Sequence, residues 1–202
     1  MAPCITPRAT STAPSRDYDQ AIQLDPRYVF AYNNRGNLYQ DKGDFDRAIA
    51  DFGRAIEFQP NFAQAFYNRA LAYQFEGEND RAIADYSEAI RLIPEYSHAF
   101  NNRGRLFAEK GDLDRAIADF DQAIRFDPKD VSAFENLGNT YFIKKDYDRA
   151  VAYFDQAVRL APDDAAALYG RGKAKQLSGD IAGGNADVSA AEKIDPKIFP
   201  SR

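Results

Sequence analysis

The sequence predicts an all-α protein of the α-solenoid type, built from tandem helix-turn-helix repeats. Two observations carry this prediction. Six prolines follow one another at a constant interval of 34 residues, and the segments between them align without a gap. They are Pro26, Pro60, Pro94, Pro128, Pro162 and Pro196. Each interval also contains two apolar runs at helical spacing, and self-similarity at this period is typical of repeats that stack on their neighbours.

The first residues, 1–16, differ from the rest in composition. They are rich in Pro, Ser, Thr and Ala and contain no acidic residue, so we expect a disordered tail. Arg8 and Arg16 give it a faint similarity to an organelle transit peptide, but three prolines oppose the amphipathic helix of such a peptide. The other interpretation is a chain that begins inside a longer array and has lost what preceded residue 17, a secretion signal being one option.

Residues 17–28 match only the second half of a repeat. Asp17 to Pro26 aligns with the end of each later unit, which predicts the second helix of a truncated repeat. Such a helix would leave apolar side chains, among them Ile22 and Leu24, without a first helix to cover them. We therefore expect a weak homodimer through the N-terminal end.

Five complete units follow. Their bounds are 29–62, 63–96, 97–130, 131–164 and 165–198. In the third unit an apolar run reaches Phe107, Gly111 and Asp112 interrupt it, and a second run ends before Pro128. Gly is typical of a helix end and Asp of a helix N-cap, so each unit is predicted to be two helices and a turn. In the fifth unit Gly183, Gly184 and polar residues replace larger side chains, which predicts a degenerate C-terminal cap.

With the proline numbered 32, six positions in each unit repeat one residue type. Position 4 is large and apolar, position 8 is small, position 11 is aromatic in four units, positions 20 and 27 are alanine in four, and position 24 between them is aromatic. Small residues let helix axes approach while aromatic rings fill the remaining space. The pattern resembles the tetratricopeptide repeat (TPR) over about 170 residues. This resemblance implies a right-handed solenoid whose first helices line a concave groove. The six positions carry Tyr32, Phe66, Phe100, Phe134 and Leu168; Gly36, Ala70, Gly104, Gly138 and Gly172; Tyr39, Tyr73, Phe107 and Tyr141; Ala48, Ala82, Ala116 and Ala150; Phe52, Tyr86, Phe120 and Phe154; and Ala55, Ala89, Ala123 and Ala157.

Positions 7 and 23 change together. Four units carry arginine at 7 and aspartate at 23, whereas the fourth unit carries Leu137 and Tyr153. This covariation predicts a partly buried ion pair inside each of the four units; a ladder of arginines that binds phosphates is the alternative. The predicted pairs are Arg35 with Asp51, Arg69 with Asp85, Arg103 with Asp119, and Arg171 with Asp187.

Asparagine recurs at position 6 in four units. One side-chain amide can bond both the C=O and the N–H of an extended peptide. The series resembles the asparagine ladder of O-linked N-acetylglucosamine transferases and of armadillo-type import receptors. The alternative, which stays open here, is that the asparagines bond neighbouring helices. The position 6 residues are Asn34, Asn68, Asn102 and Asn136.

The remaining groove positions that the resemblance implies are polar and aromatic, with neither charge dominant. They favour a protein or extended peptide as the ligand. Chaperone-binding members hold a terminal carboxylate with cations, but the matching positions here hold asparagines and His98, so an acidic chaperone tail is a poor fit. The predicted groove residues beside the ladder are Asn33, Asn37, Tyr67, His98, Asn101, Arg105 and Asn139.

Composition excludes several classes of function. Acidic residues outnumber basic ones 31 to 26, so neither nucleic acid nor an anionic membrane is an expected partner. One cysteine, Cys4, cannot form an intrachain disulfide, and with one histidine it provides too few ligands for a His/Cys metal site. Neither a nucleophile motif nor a cofactor motif is present. We expect a cytoplasmic, non-catalytic interaction scaffold without a cofactor; the alternatives are a docking arm of a larger, glycosyltransferase-like enzyme and a self-assembling scaffold.

Overall fold

The computed structural model describes residues 13–197, and every regular element among them is a helix. The chain divides into two compact units, Met1–Ile93 and Pro94–Arg202. The predicted fold class, all-α with tandem helix-turn-helix repeats, is confirmed. The helices are α1 (Ala13–Leu24), α2 (Val29–Asp41), α3 (Phe45–Phe58), α4 (Ala63–Phe75), α5 (Asn79–Leu92), α6 (Ser97–Glu109), α7 (Leu113–Phe126), α8 (Val131–Ile143), α9 (Tyr147–Leu160), α10 (Ala165–Ser178) and α11 (Ile181–Ile194).

The even-numbered helices α2 to α10 are the first helices of the five repeats and are called A helices below. The odd-numbered helices are the second, or B, helices. The first B helix begins at Ala13, so residues 13–16 are helical and the predicted tail is too long by four residues. The rest of the predicted tail, residues 1–12, lies outside the described residues.

A tight turn joins the A and B helices of each repeat. Its glycine adopts a positive φ in four repeats, at Gly43, Gly77, Gly111 and Gly179. In the fourth repeat Lys145 takes this place with φ of 62°. The next helix is capped as predicted in the third repeat, where the Asp112 side chain accepts a hydrogen bond from the Arg115 backbone N–H.

Small residues at position 8 sit under the aromatic ring of position 24. A Cβ atom on Gly36 would lie only 2.7 Å from Cε1 of Phe52, and one on Gly104 would lie 2.9 Å from Cε1 of Phe120. Neither glycine has a positive φ, and Ala70 fills the same position fully buried. The prediction that this position requires small volume rather than a special backbone conformation is confirmed.

The fifth repeat keeps its second helix despite its glycines. A Cβ on Gly184 of α11 would lie 2.6 Å from the carbonyl oxygen of Gly172 on α10. The two helices therefore approach more closely here than larger side chains would allow. Lys175 replaces the aromatic residue of position 11, and its Nζ lies 2.9 Å from Asp187 Oδ2.

Candidate functional site

All four predicted arginine–aspartate pairs are present, each inside one repeat. In each, Nε and Nη2 of the arginine on the A helix donate to the two carboxylate oxygens of the aspartate on the B helix. The eight donor–acceptor distances lie between 2.6 and 2.8 Å. The aspartates are only 5–8% exposed. These paired, largely buried arginines join the two helices and do not form a free cationic surface, which removes the phosphate-ladder alternative.

Two arginines also bind a second carboxylate, which the sequence analysis missed. Nη1 of Arg35 lies 2.7 Å from Asp19 of α1, and Nη1 of Arg171 lies 2.9 Å from Asp155 of α9. Both carboxylates stand 16 residues before their arginine, at position 25 of the preceding repeat. The constant spacing of 16 residues between these aspartates and arginines is the sequence feature that could have predicted the second contact.

The pairing shifts the pKa values of its members in the expected direction. The hydrogen bonds to Asp51 raise the pKa of Arg35 despite its burial, with a further contribution from Asp19. Burial acts against ionisation of Asp187, yet its bonds to Arg171 and Lys175 hold the pKa of this carboxyl below its usual value.

The fourth repeat replaces the ion pair with apolar packing. Leu137 is fully buried, and the ring of Tyr153 stacks on Tyr141 with 5.4 Å between the centroids. Asp121 stands at position 25 before Leu137, where the corresponding Asp19 and Asp155 meet an arginine. Burial raises the pKa of Asp121.

In the compact unit Met1–Ile93, asparagines of the first and second repeats bond to one another. Nδ2 of Asn68 donates to Oδ1 of Asn33 at 3.1 Å and to Oδ1 of Asn37 at 3.0 Å. Oδ1 of Asn68 accepts from Nε2 of Gln64 at 2.9 Å. Asn68 is 6% exposed, and both of its donor hydrogens are used between helices α2 and α4. The amide of Asn68 therefore bonds a neighbouring helix, which is the alternative to a side chain available for a peptide ligand.

The compact unit Pro94–Arg202 contains one similar bond between asparagines of successive A helices. Nδ2 of Asn136 donates to Oδ1 of Asn101 at 2.9 Å, and Nδ2 of Asn101 donates to Oδ2 of Asp130 at 3.2 Å. The bond runs from position 6 of one A helix to position 5 of the preceding one, as it does between Asn68 and Asn33. In the fifth repeat position 6 is Gly170, which has no amide to offer to position 5 of α8.

Two buried acceptor oxygens on A helices have no hydrogen-bond partner in the described part of the chain, namely Oε1 of Gln40 and Oε1 of Glu135. Glu135 occupies position 5 opposite Gly170, which explains the missing donor. In the second repeat the residue equivalent to Gln40, Gln74, accepts from the Tyr86 hydroxyl at 3.0 Å, but the first repeat has Phe52 in place of this tyrosine. Burial raises the pKa of Glu135 to about 7, followed by the charge of Asp164, a side-chain hydrogen bond to Asp164 and the charge of Asp130.

The other predicted groove residues differ in accessibility. His98, Arg105 and Asn139 are exposed, while Tyr67 is half-buried with its ring 5.7 Å from that of Tyr86. Arg105 lies 3.7 Å from Glu109 on the same helix. Asn34, Asn37, Asn101, Asn102 and Asn136 are also half-buried, whereas Asn33 is 5% exposed.

Four large apolar residues stand exposed on A helices at positions 2 and 13. In the compact unit Met1–Ile93, Phe30 is 53% exposed and Phe75 is 67% exposed. In the compact unit Pro94–Arg202, Ile143 is 60% exposed and Leu177 is 52% exposed. Phe75 stacks on Phe45 with 5.0 Å between ring centroids, and Phe30 meets Phe62 edge-on at 5.4 Å. Repeat positions 2, 5, 6, 9, 12 and 13 of the A helices form a surface within each of the two compact units. We call this surface the A-helix face of that unit.

Within residues 13–197 no group of three or more His, Cys, Asp and Glu side chains has an arrangement suited to a metal ion. None of the helices in this part of the chain has the length and apolarity needed to cross a membrane.

Comparison with family models gives matches along the chain. The model described as tetratricopeptide repeat matches residues 29–62, 63–96 and 131–164, which are the bounds predicted for the first, second and fourth repeats. A second model, described as TPR repeat, matches residues 104–144. A search of curated protein sequences finds no match.

Several solved structures have a similar fold. YrrB, described as a TPR protein with an unusual peptide-binding site, is 20% identical with a TM-score of 0.77, over 91% of this chain and 95% of its own. A crystal structure of MamA is 27% identical with a TM-score of 0.69, over 72% of this chain and 85% of its own. A tetratricopeptide repeat protein from Parabacteroides merdae is 22% identical with a TM-score of 0.76, over 95% and 75%.

Proposed function

The chain belongs to the tetratricopeptide repeat family, and on that premise we propose that it is a non-catalytic scaffold that binds a protein or an extended peptide on its A-helix faces. The observation that carries the proposal is the exposure of Phe30, Phe75, Ile143 and Leu177. Large apolar side chains that stay in water between amide groups are typical of a surface that another chain covers.

The two unpartnered oxygens of Gln40 and Glu135 support the same surfaces. A buried acceptor without a donor costs about 1–3 kcal/mol. Rotation of either side chain toward the solvent would let an N–H group of a ligand supply the missing bond. Each of the two units contains one such oxygen, and both belong to positions of the A-helix face.

The hydrogen bonds of the asparagines change which residues are the best ligand contacts. Asn68 already uses both of its amide hydrogens, so its role in this proposal is to hold α2 against α4. We assign the ligand contacts to exposed or half-buried neighbours, namely Tyr67, His98, Arg105 and Asn139. YrrB shares the fold, and its description as a peptide-binding protein fits a peptide as the ligand class.

A random peptide library displayed on phage, panned against the full chain, tests the proposal. We expect enriched peptides whose affinity falls at least tenfold for the double variant Phe75→Ala/Ile143→Ala. The matched control is Leu160→Ala/Ile194→Ala, which removes two exposed apolar side chains from B helices and should leave the affinity unchanged. No enrichment, or equal losses in both variants, would refute binding on the A-helix faces.

A further inference from the structure

Helix α1 packs on α2 in the register of a B helix. Its Asp19 contacts Arg35 of α2 at 2.7 Å, as Asp155 of α9 contacts Arg171 of α10 at 2.9 Å. Each residue of α1 can therefore be compared with the residue at the same position of the later B helices.

One side of α1 is less covered than the same side of the B helix in the next four repeats. Ala21 is half-buried, whereas the alanines at its position in the next four repeats are 0% exposed. Tyr18 is half-buried, whereas the aromatic residues at its position are at most 1% exposed. In those repeats an A helix covers these side chains. We call the corresponding side of α1, formed by Asp17, Tyr18, Ala21 and Leu24, the α1 face.

The α1 face is apolar at one end and acidic at the other. Leu24 is 80% exposed, and with Ala21, Asp25 and Tyr28 it lines a shallow, mostly apolar depression of about 340 Å³. Asp17 is exposed and has no ion pair within the described chain, although the aspartates at its position each bind an arginine at position 7. An arginine is therefore the complementary group for Asp17.

Asn34 on the neighbouring helix α2 adds a second polar group. Asn68 and Asn136, its equivalents, each donate to position 5 of the preceding A helix. Among the described residues, Asn34 has only a long bond, in which its Oδ1 accepts from Asn33 at 3.4 Å, and its own amide hydrogens have no partner. A helix lying on the α1 face in repeat register would place its position 5 next to this amide.

We propose that the α1 face is a docking site for a helix of A type contributed by a partner protein. The recognised pattern is a large apolar residue followed directly by a residue with an oxygen acceptor. An arginine stands two positions after the acceptor, and glycine or alanine directly follows the arginine. The apolar residue packs on Tyr18 and Ala21, the acceptor bonds Asn34, the arginine pairs with Asp17, and the small residue permits close approach.

The chain itself supplies a probe. A labelled synthetic peptide of residues 97–110 contains Phe100, Asn101, Arg103 and Gly104 in the required order. Isolated helices of this length are marginal in water, and ordering on binding lowers affinity, so we expect saturable binding to the full chain at high micromolar concentration.

Fluorescence anisotropy with two α1 variants locates the site. Ala21→Asp should weaken binding at least tenfold, because it places a charge beneath the docked helix. Gln20→Asp adds the same charge to α1 at an exposed position outside the α1 face and should have little effect. Asp17→Arg should weaken the natural peptide but bind the Arg103→Asp peptide better than the unaltered chain does.

Four results would overturn the proposal. They are no saturable binding, equal losses in Ala21→Asp and Gln20→Asp, failure of the charge exchange, and binding that disappears in Phe75→Ala/Ile143→Ala but not in Ala21→Asp. Sedimentation tests the other occupant, a second copy of this chain. Concentration-dependent dimers that Ala21→Asp abolishes, and that the peptide does not displace, would assign the α1 face to self-association instead.

Discussion

The third and fourth repeats have the same backbone plan and the same aspartate N-cap on the B helix, but they differ in the contact that joins their two helices. In the third, Arg103 bonds both oxygens of Asp119. In the fourth, Leu137 is buried in place of the arginine, and Tyr153 stacks on Tyr141. Both arrangements join the A helix to the B helix, one through a buried ion pair and the other through apolar packing.

Two further differences make the fourth repeat less favourable than the third: a buried oxygen without a hydrogen-bond donor and a lysine with a positive φ. Asn101 in the third repeat accepts a bond from Asn136, whereas Glu135 in the fourth faces Gly170 and keeps a buried oxygen without a donor. The turn of the third repeat has Gly111 at a φ of 80°, whereas the fourth has Lys145 at 62°. A side chain in the left-handed region costs about 1 kcal/mol that glycine does not.

A repeat can therefore retain its fold while the identity of its internal contacts changes. The ion pair and its apolar replacement are alternatives at one place. The unpartnered Oε1 of Glu135 and the lysine in the turn are costs that the fourth repeat carries and the third does not. Each difference can be exchanged between the two repeats by mutation.

Breaking the ion pair of the third repeat should destabilise the protein more than any other change considered below. Arg103→Leu leaves Asp119, 5% exposed, without its bidentate partner and should lower the free energy of unfolding by about 3–5 kcal/mol. Urea denaturation measures the loss. The double variant Arg103→Leu/Asp119→Tyr copies the fourth repeat and should recover most of it, because the new tyrosine can pack on Phe107 as Tyr153 packs on Tyr141.

The double variant also provides the contradiction. If it is no more stable than Arg103→Leu alone, positions 7 and 23 are not energetically coupled, and the equivalence drawn between the third and fourth repeats is wrong.

The next effect is specific to the fourth repeat and depends on pH. The pKa of Glu135 is raised from 4.5 to about 7, first by burial and then by Asp164 and Asp130. A raised carboxyl pKa means that the folded chain favours the protonated form, so its contribution to stability is complete below pH 4.5 and is lost as the pH rises through 7. Glu135→Gln removes this loss and should stabilise the protein by about 1–2 kcal/mol at pH 8 and by little at pH 4.5, since solvent screens part of the effect.

Glu109→Gln is the matched control in the third repeat. Glu109 is exposed and lies 3.7 Å from Arg105, so its replacement should change stability by less than about 0.5 kcal/mol at either pH. An equal stabilisation by both variants would indicate a general effect of net charge, and the local account of Glu135 would then fail.

The smallest effect concerns the turns. Lys145→Gly should stabilise the chain by about 0.5–1 kcal/mol, because glycine accepts a φ of 62° without steric cost. Gly111→Lys, the reverse exchange in the third repeat, should destabilise it by a similar amount. Thermal unfolding of the two variants beside the unaltered chain checks both signs, and shifts in the same direction would contradict the strain assigned to Lys145.

Periodicity made most of the fold predictable from the sequence. The interval between prolines, the small residues at position 8 and the aromatic residues at position 24 determine where each helix begins and what it packs against. The start of α1 was placed too late, because Ala13 and Pro14 resemble the preceding tail in composition although a helix tolerates proline in its first turn.

The candidate site was harder to predict because the partner of an amide depends on a neighbouring repeat. Asn68 and Asn136 stand at the same position of their repeats. This recurrence is equally compatible with a ladder that binds a ligand and with hydrogen bonds between helices. Only the geometry shows that the residue one position earlier on the preceding A helix accepts the bond. The unpartnered oxygen of Glu135 follows from the absence of a side chain at Gly170, and a residue pattern does not indicate such an absence by itself.

Hydroxyl-radical footprinting of the full chain, with and without a peptide enriched from the library, tests the proposed function most directly. Oxidation reports the exposure of individual side chains, and the four residues to be compared are all at least 41% exposed. Binding on the A-helix faces predicts that oxidation falls at Phe75 or Ile143 and stays unchanged at Leu160 and Ile194 on the B helices. Protection of Leu160 or Ile194, with Phe75 and Ile143 oxidised as before, would contradict the account.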